Sequence, residues 1–363
     1  MNKEVLSDWD GISLIVLFII GSGSVTISGL EAKQDVWLAV IISIVIALPL
    51  ISIYARLQYI FPSKDLFDII EICFGEFIGK VIIIFFTLHL IAIEATILRH
   101  HGEFITIVGL NKTPIIIIII CFSILSAYVA KNGIVILGRW GKFFILIVIF
   151  LTFIMLCLLI PNMNINNVYP VLSNGINPIL QGTFKILVFP FSQIIVFSTI
   201  FSNFKRKKSP YKMYLLGLLL GGVIIFVTSL SVILVTGVNE ASSSYFSTYT
   251  AVLRTDIRVL ERIEVLSSVL FALGGFVKIS VHLIAICIGI SKVLDYTDYR
   301  LIILPITLIL INITYLTWDS TMDFFEFDRT VMPYISFINR VILPIIIFII
   351  AEINRGKLSG KIK

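Results

Sequence analysis

Two ionisable residues stand in stretches otherwise too apolar to hold a charge. Glu94 occurs in HLIAIEATILR and Lys278 in LGGFVKISVHL, where Gly274 and Gly275 would let a second helix come close. An ionised side chain at membrane depth is expensive unless it is paired or wetted. Each residue therefore either contacts a ligand or coupled ion, or forms half of a structural ion pair, and the sequence leaves both readings open. Two polar interruptions accompany them. The apolar run 12–29, ISLIVLFIIGSGSVTISG, is broken at Gly21-Ser22-Gly23-Ser24, and the run 184–204 carries Phe189-Pro190-Phe191-Ser192 in a comparable place. Proline removes a backbone donor and clashes with the preceding turn. Lipid offers the backbone no hydrogen-bond partners, so such breaks are tolerated only where the freed groups face protein, water or a ligand. N–H groups and the Ser22 and Ser24 hydroxyls at a half-helix N-terminus would suit a carboxylate. Carbonyls freed around Phe189 and Pro190 would suit an ammonium, with Phe189 and Phe191 walling a side-chain pocket and Glu94 as a second anchor for the amine. The expected substrate-binding set is Gly21, Ser22, Gly23, Ser24, Glu94, Phe189, Pro190, Phe191, Ser192 and Lys278.

Other candidate chemistry is weak. No G-x-x-x-x-G-K-[ST] phosphate loop occurs, and the glycine run of the first span fails the dinucleotide fingerprint because Thr26 stands where the third glycine belongs. His100-His101 with Glu103 is a poor metal pair, since adjacent helical residues point apart. His89 and His282 read as hydrogen-bonded packing residues, and Arg340 as a snorkelling side chain of the last span. Cys73, Cys121, Cys157 and Cys287 are scattered through apolar stretches as small packing residues. With no Ser/His/Asp or Cys/His set and no metal cluster, neither an enzyme nor a cofactor is expected.

The elements that must position these residues are membrane helices. Of 363 residues 58% are hydrophobic and only 14% charged, against about 25% charged in a soluble domain. Ten spans are expected at 12–30, 36–55, 79–99, 114–130, 143–160, 184–204, 213–236, 266–290, 301–317 and 331–351. Glu4, Asp8 and Asp10 precede the first run and no small-residue cleavage site follows it, so it is not read as a signal peptide. Lys and Arg gather, by about two to one, in the loops that share a side with the N-terminus, above all in Lys205-Arg206-Lys207-Lys208; both termini are therefore expected in the cytoplasm. Basic residues spread over separate loops in this way give no support to a nucleic-acid role.

Between spans two and three, 65–74 alternates apolar residues with Asp68 and Glu71 and reads as a short amphipathic helix on the cytoplasmic surface, with Ser63 or Asp65 at its start. The stretch 161–183, rich in Asn, Pro and Gly, reads as turns. Arg254, Asp256, Arg258, Glu261, Arg262 and Glu264 fall at helical spacing and suggest a helix over the outer mouth, either a gate or a solvated surface. The two broken spans divide the chain into halves of five spans, about 12–160 and 178–352, within one transporter-like domain.

Several segments carry a family resemblance: Gly133-Ile134-Val135-Ile136-Leu137-Gly138-Arg139, Tyr169-Pro170-Val171, and Leu260-Glu261-Arg262-Ile263-Glu264 leading into Gly274-Gly275-Phe276-Val277-Lys278. Ten spans broken in the first and sixth resemble the amino acid–polyamine–organocation transporters. More narrowly, the chain is similar over nearly its whole length to the spore germination permease family, the B subunits of nutrient germinant receptors in endospore-forming bacteria. The resemblance implies an all-α membrane fold with a five-plus-five inverted repeat and a ligand site at the two breaks. It also implies a small nutrient, typically an amino acid, sensed in the inner membrane of the dormant spore, with an A subunit and a lipoprotein C subunit as partners. The expected function is a germinant-sensing receptor subunit. The alternative is a free-standing ion-coupled amino acid transporter, and a purely structural scaffold would not explain paired mid-membrane breaks.

Overall fold

A computed structural model describes residues 6–202, 204, 206–254 and 264–353. Helices α1 (Asp8–Gly23), α2 (Val36–Ile60), α3 (Leu66–Phe74), α4 (Glu76–Val108), α5 (Ile115–Asn132) and α6 (Ile134–Leu159) form the first half. The second comprises α7 (Ile176–Ile186) with its irregular continuation to Thr199, α8 (Ser209–Ser243), α9 (Ser247–Leu253), α10 (Glu264–Val293), α11 (Ile303–Leu316), α12 (Thr321–Thr330), α13 (Met332–Phe337) and α14 (Leu343–Ile353). Pairing between extended segments is confined, among the described residues, to one bridge, Leu6 with Phe204.

Nine helical stretches among the described residues are long and apolar enough to cross a membrane. The remaining expected span is the first. Its helix has 16 residues, about 24 Å at 1.5 Å per residue, short of a bilayer core, and the chain then leaves helical geometry. The break was expected at 21–24. The helix instead runs through Gly21 and Ser22 to Gly23, and the irregular backbone occupies 24–29.

α1 is the central element. Leu14 to Ile19 are fully buried, and the helix packs against α6, α8 and α10. A helix apolar on all sides belongs in the middle of a bundle. Lipid tails are as apolar as leucine, so these contacts hold by close packing and not by expulsion of water. Small residues create that closeness. A Cβ on Gly21 would lie 2.7 Å from the backbone carbon of Gly274 on α10, and one on Gly217 of α8 would lie 2.5 Å from Ile15. Gly133, at φ +88°, ends α5 and starts α6. This left-handed conformation suits glycine, and it lets two spans join without a loop.

The segment after α2 departs from expectation. Asp65 is the helix cap, accepting from Asp68 N–H at 2.8 Å, while the Asp68 carboxylate returns a bond to the Asp65 N–H. Ser63 takes φ +63° outside the helix. The apolar face of α3 (Leu66, Phe67, Ile69, Ile70) is buried against protein, chiefly α4, so this helix packs on the bundle and does not float on a lipid surface. Lys292, at the end of α10, pairs with Asp68.

Burial and the neighbouring Asp68 carboxylate push Asp65 up to about 7 from its ordinary 3.8, against the pull of Lys292. An acid whose folded pKa is raised contributes stability at low pH that is lost as pH climbs from the unfolded value to the folded one. Asn caps a helix as well as Asp but carries no charge. Asp65→Asn should therefore match the native chain below about pH 4 and exceed it in thermal midpoint by a margin that opens between about pH 4 and 7 and is constant above that. A pH series of detergent-solubilised protein checks this, and a constant gap across the series would contradict it.

Arg254 ion-pairs with Glu240 on α8. The rest of the expected 254–264 helix lies outside the described residues apart from Glu264, which opens α10. The turn-rich stretch 161–183 does contain short turns at Ile160–Asn162 and Ile165–Val168, but α7 already begins at Ile176. α12, unforeseen in the sequence, starts at a Ser320 cap whose hydroxyl accepts from Asp323 N–H at 3.1 Å.

Candidate functional site

The first break satisfies its backbone with neighbouring groups. Ser24 N–H donates to Ile20 O at 3.0 Å and its hydroxyl to Gly21 O at 3.1 Å, which closes the C-terminal end of α1. Val25 O accepts from Thr248 N–H at 3.0 Å, and Ile27 N–H donates to the Ser247 hydroxyl at 3.0 Å. The start of α9 thus supplies the partners that lipid cannot.

The second break centres on Phe189, whose φ −144° and ψ 117° are extended inside Leu187–Phe191. The Val188 carbonyl left free by it accepts from the Ser192 hydroxyl at 3.0 Å and from Arg340 Nη1 at 3.1 Å. Arg340 lies in a widened turn, Ile338–Ile342, between α13 and α14. It is 3% exposed, so it does not snorkel. Such widened turns recur at functional sites.

A cavity of about 360 Å³ lies where the breaks meet. Thr26, Ile27, Ser28 and Gly29 of the first break line it, with Val188, Phe189 and Gln193 of the second. α4 adds Ile93, Thr96, Ile97, His100 and His101; the α8–α9 junction adds Ser244, Tyr245 and Ser247; and the last third of the chain adds Phe325, Asp328, Arg329, Met332 and Arg340. One end is aromatic. The His100 ring lies 5.5 to 5.8 Å from the rings of Phe271, Phe246 and Phe325, and Tyr245 stacks on Phe325 at 4.3 Å. The charged lining groups are Lys185, Arg329 and Arg340 against Glu31 and Asp328. Asp328, on α12 and open to the cavity, is pushed up to about 6 by the desolvation of its carboxyl among the surrounding helices, against the pull of Arg329 and other cations.

The expected residues divide around this cavity. Phe189 lines it. Lys278 is fully buried behind it, its Nζ 4.4 Å from the Phe189 ring centre and 5.0 Å from that of Phe18, a cation held between the two broken spans. Beneath it His282 Nδ1–H donates to Lys278 O at 2.9 Å, the ring stacks on Phe18, and Nε2 lies 3.4 Å from Gln193 Nε2. Gly21 and Gly23 are packing positions against Gly274 and Ile225. Ser24 and Ser192 turn their hydroxyls onto backbone carbonyls of their own segments, and Pro190 and Phe191 are buried away from the cavity. Ser22 is on α1, its side chain outside the description. Glu94 is 1% exposed, one residue beyond the lining Ile93, and among the described residues no hydrogen-bond partner reaches its Oε2.

Two expectations are corrected. The first break presents the C-terminal end of α1, which carries partial negative charge, in place of the expected half-helix N-terminus at 21–24. The Val188 carbonyl is already engaged by two donors and is not open to an ammonium.

Two helix breaks facing a central cavity inside a bundle of apolar spans define a membrane transporter fold, all-α with two halves of five spans. MhsT in complex with L-phenylalanine has that fold: TM-score 0.71 at 12% identity, covering 98% of this chain and 90% of MhsT. So does Mhp1, a nucleobase-cation-symport-1 family transporter, in a closed conformation with bromovinylhydantoin bound, at TM-score 0.67 and 11% identity over 89% of this chain and 74% of Mhp1. The chain belongs to the spore germination permease family, whose model, described as "Spore germination protein", matches residues 6–322. Among its relatives, spore germination protein KB of Bacillus subtilis (strain 168) is 27% identical over 356 residues, 97% of this chain and 95% of that protein. Spore germination protein A2 of the same organism is 22% identical over 357 residues, 96% of each. The chain is thus a permease-like integral membrane protein and not an enzyme.

Proposed function

We propose that this chain is the membrane subunit of a spore nutrient germinant receptor, binding a small nutrient, an amino acid, in the cavity between its two broken spans. The observation that supports this reading is the cavity itself, of about 360 Å³ and bounded by both breaks in a chain of the germination family. Nutrient binding stabilises one arrangement of the breaks, and the shift in population passes to the A and C receptor subunits. The protein resides in the inner membrane of the spore with both termini in the cytoplasm.

Spores lacking only this chain should fail to lose refractility in response to one or a few single amino acids while still germinating with other nutrients. An unchanged response to every amino acid would count against the receptor reading. A second reading, a free-standing ion-coupled amino acid transporter, draws support from the MhsT and Mhp1 fold. It requires gradient-driven uptake in liposomes that hold this chain alone.

A further inference from the structure

Arg340 is a buried cation on the cavity wall that, among the described residues, has no carboxylate at ion-pair distance, Asp328 acting on it only from farther off. A guanidinium offers five N–H donors, and among the described residues one is engaged, Nη1 on Val188 O at 3.1 Å. Its own carbonyl accepts from the Tyr54 hydroxyl, which fixes the backbone beneath it. Neither carboxylate of the cavity, Glu31 or Asp328, forms an ion pair with it among the described residues. A charge buried 97% (3% exposed) without an anion is costly unless something supplies one.

The rest of the cavity narrows what that anion is held by. The C-terminal end of α1 repels negative charge and favours a cation. Lys185 is committed to the Arg329 carbonyl and the Tyr334 ring. Lys278 is not in the lining and lies on the far side of the Phe189 ring. Among the described cations that line the cavity, Arg340 alone combines fixed position, burial and donors without a protein partner.

We propose that Arg340 anchors a carboxylate of the ligand, which makes the cavity selective for small carboxylic acids over neutral molecules of the same shape. The planar O–C–O group accepts from the guanidinium edge. In an amino acid, the ammonium then lies toward the end of α1 and the side chain toward the His100 aromatic cluster. This assignment rests on the reading of the cavity as the nutrient site.

The test uses the full chain in lipid nanodiscs and titrates L-alanine, L-valine and L-phenylalanine against their amides, with D-glucose as a probe that lacks a carboxylate. At least one acid should bind about 100-fold tighter than its amide. Arg340→Gln should bring the acid down to the amide's affinity and leave the amide unchanged, and Arg340→Lys should fall between. If Arg340→Gln fails to fold, discrimination between acid and amide by the native chain still decides, and equal affinities overturn the assignment. Undiminished acid binding by a folded Arg340→Gln overturns the anchor and leaves the nutrient reading standing. Binding of D-glucose with none of the acids overturns both the anchor and the amino acid reading. Binding of no probe overturns the anchor, and spore germination then decides the nutrient reading separately.

Discussion

Gly21→Leu is expected to leave no folded chain after extraction from the membrane. A Cβ at this position would lie 2.7 Å from the Gly274 carbon and 2.8 Å from its carbonyl oxygen, both backbone atoms of α10. Overpacking against flexible side chains costs about 1–3 kcal/mol because the neighbours can turn aside. Backbone cannot, so α1 and α10 would have to separate, and they are the two most enclosed helices of the bundle. The loss should exceed about 3 kcal/mol, a large part of a typical domain's stability. Gly109→Ala is the matched control, since its Cβ would meet a single atom at an ordinary 3.7 Å. Size-exclusion profiles of the detergent-extracted variants read the outcome directly. A monodisperse Gly21→Leu with native thermal midpoint would mean that the two backbones do not touch.

This same glycine shows how far the sequence carries. Two glycines and two serines inside an apolar run were enough to mark a special point of the first span, because lipid makes any weakening of a helix there consequential. They were not enough to say what kind of point. Glycine serves both to break a helix and to bring two helices together, and only the partner, here Gly274 more than 250 residues away, decides between them. Phe189-Pro190 left less ambiguity, since proline withdraws a donor wherever it sits, and the break is found at Phe189. The spans themselves were legible because hydropathy over some 20 residues is a one-dimensional property.

The cavity wall was harder to read, for a related reason. Arg340 and Glu94 are equally anomalous in apolar sequence, yet the arginine faces the cavity and the glutamate stands behind its wall. Side-chain direction in a helix turns through 100° per residue, so a shift of one position separates lining from packing. Arg340 has α13 before it and α14 after it, too deep for its head to reach either end of Met332–Ile353, and this depth was the signal available. Asp328 and Arg329 sit on α12, a ten-residue helix too short to register as a span. Its Ser320-x-x-Asp323 cap was the one local mark of it.

α12 supplies the last expected result. Arg99, near the end of the third expected span, is buried: its side chain is 8% exposed and its Nε donates to Glu103 Oε1 at 2.8 Å. The other Glu103 oxygen accepts from the Thr321 hydroxyl at 2.8 Å, so this buried pair ties α4 to the first residue of α12. Removing one member leaves the other charged, desolvated and unpaired, at a cost of about 3–5 kcal/mol. Removing both can be nearly neutral, because the desolvation penalty disappears with the charges. Arg99→Met and Glu103→Leu should each lower the free energy of SDS-driven unfolding in mixed micelles by that amount. The double variant should recover to within about 1–2 kcal/mol of the native chain, the remainder being the Thr321 hydroxyl left without its acceptor. Simple addition of the two single losses would show that the pair is not coupled. The recovered double variant then separates stability from position: it keeps the bundle, but the first residue of α12, whose far end carries Asp328 and Arg329 to the cavity, has lost its bond to Glu103 of α4.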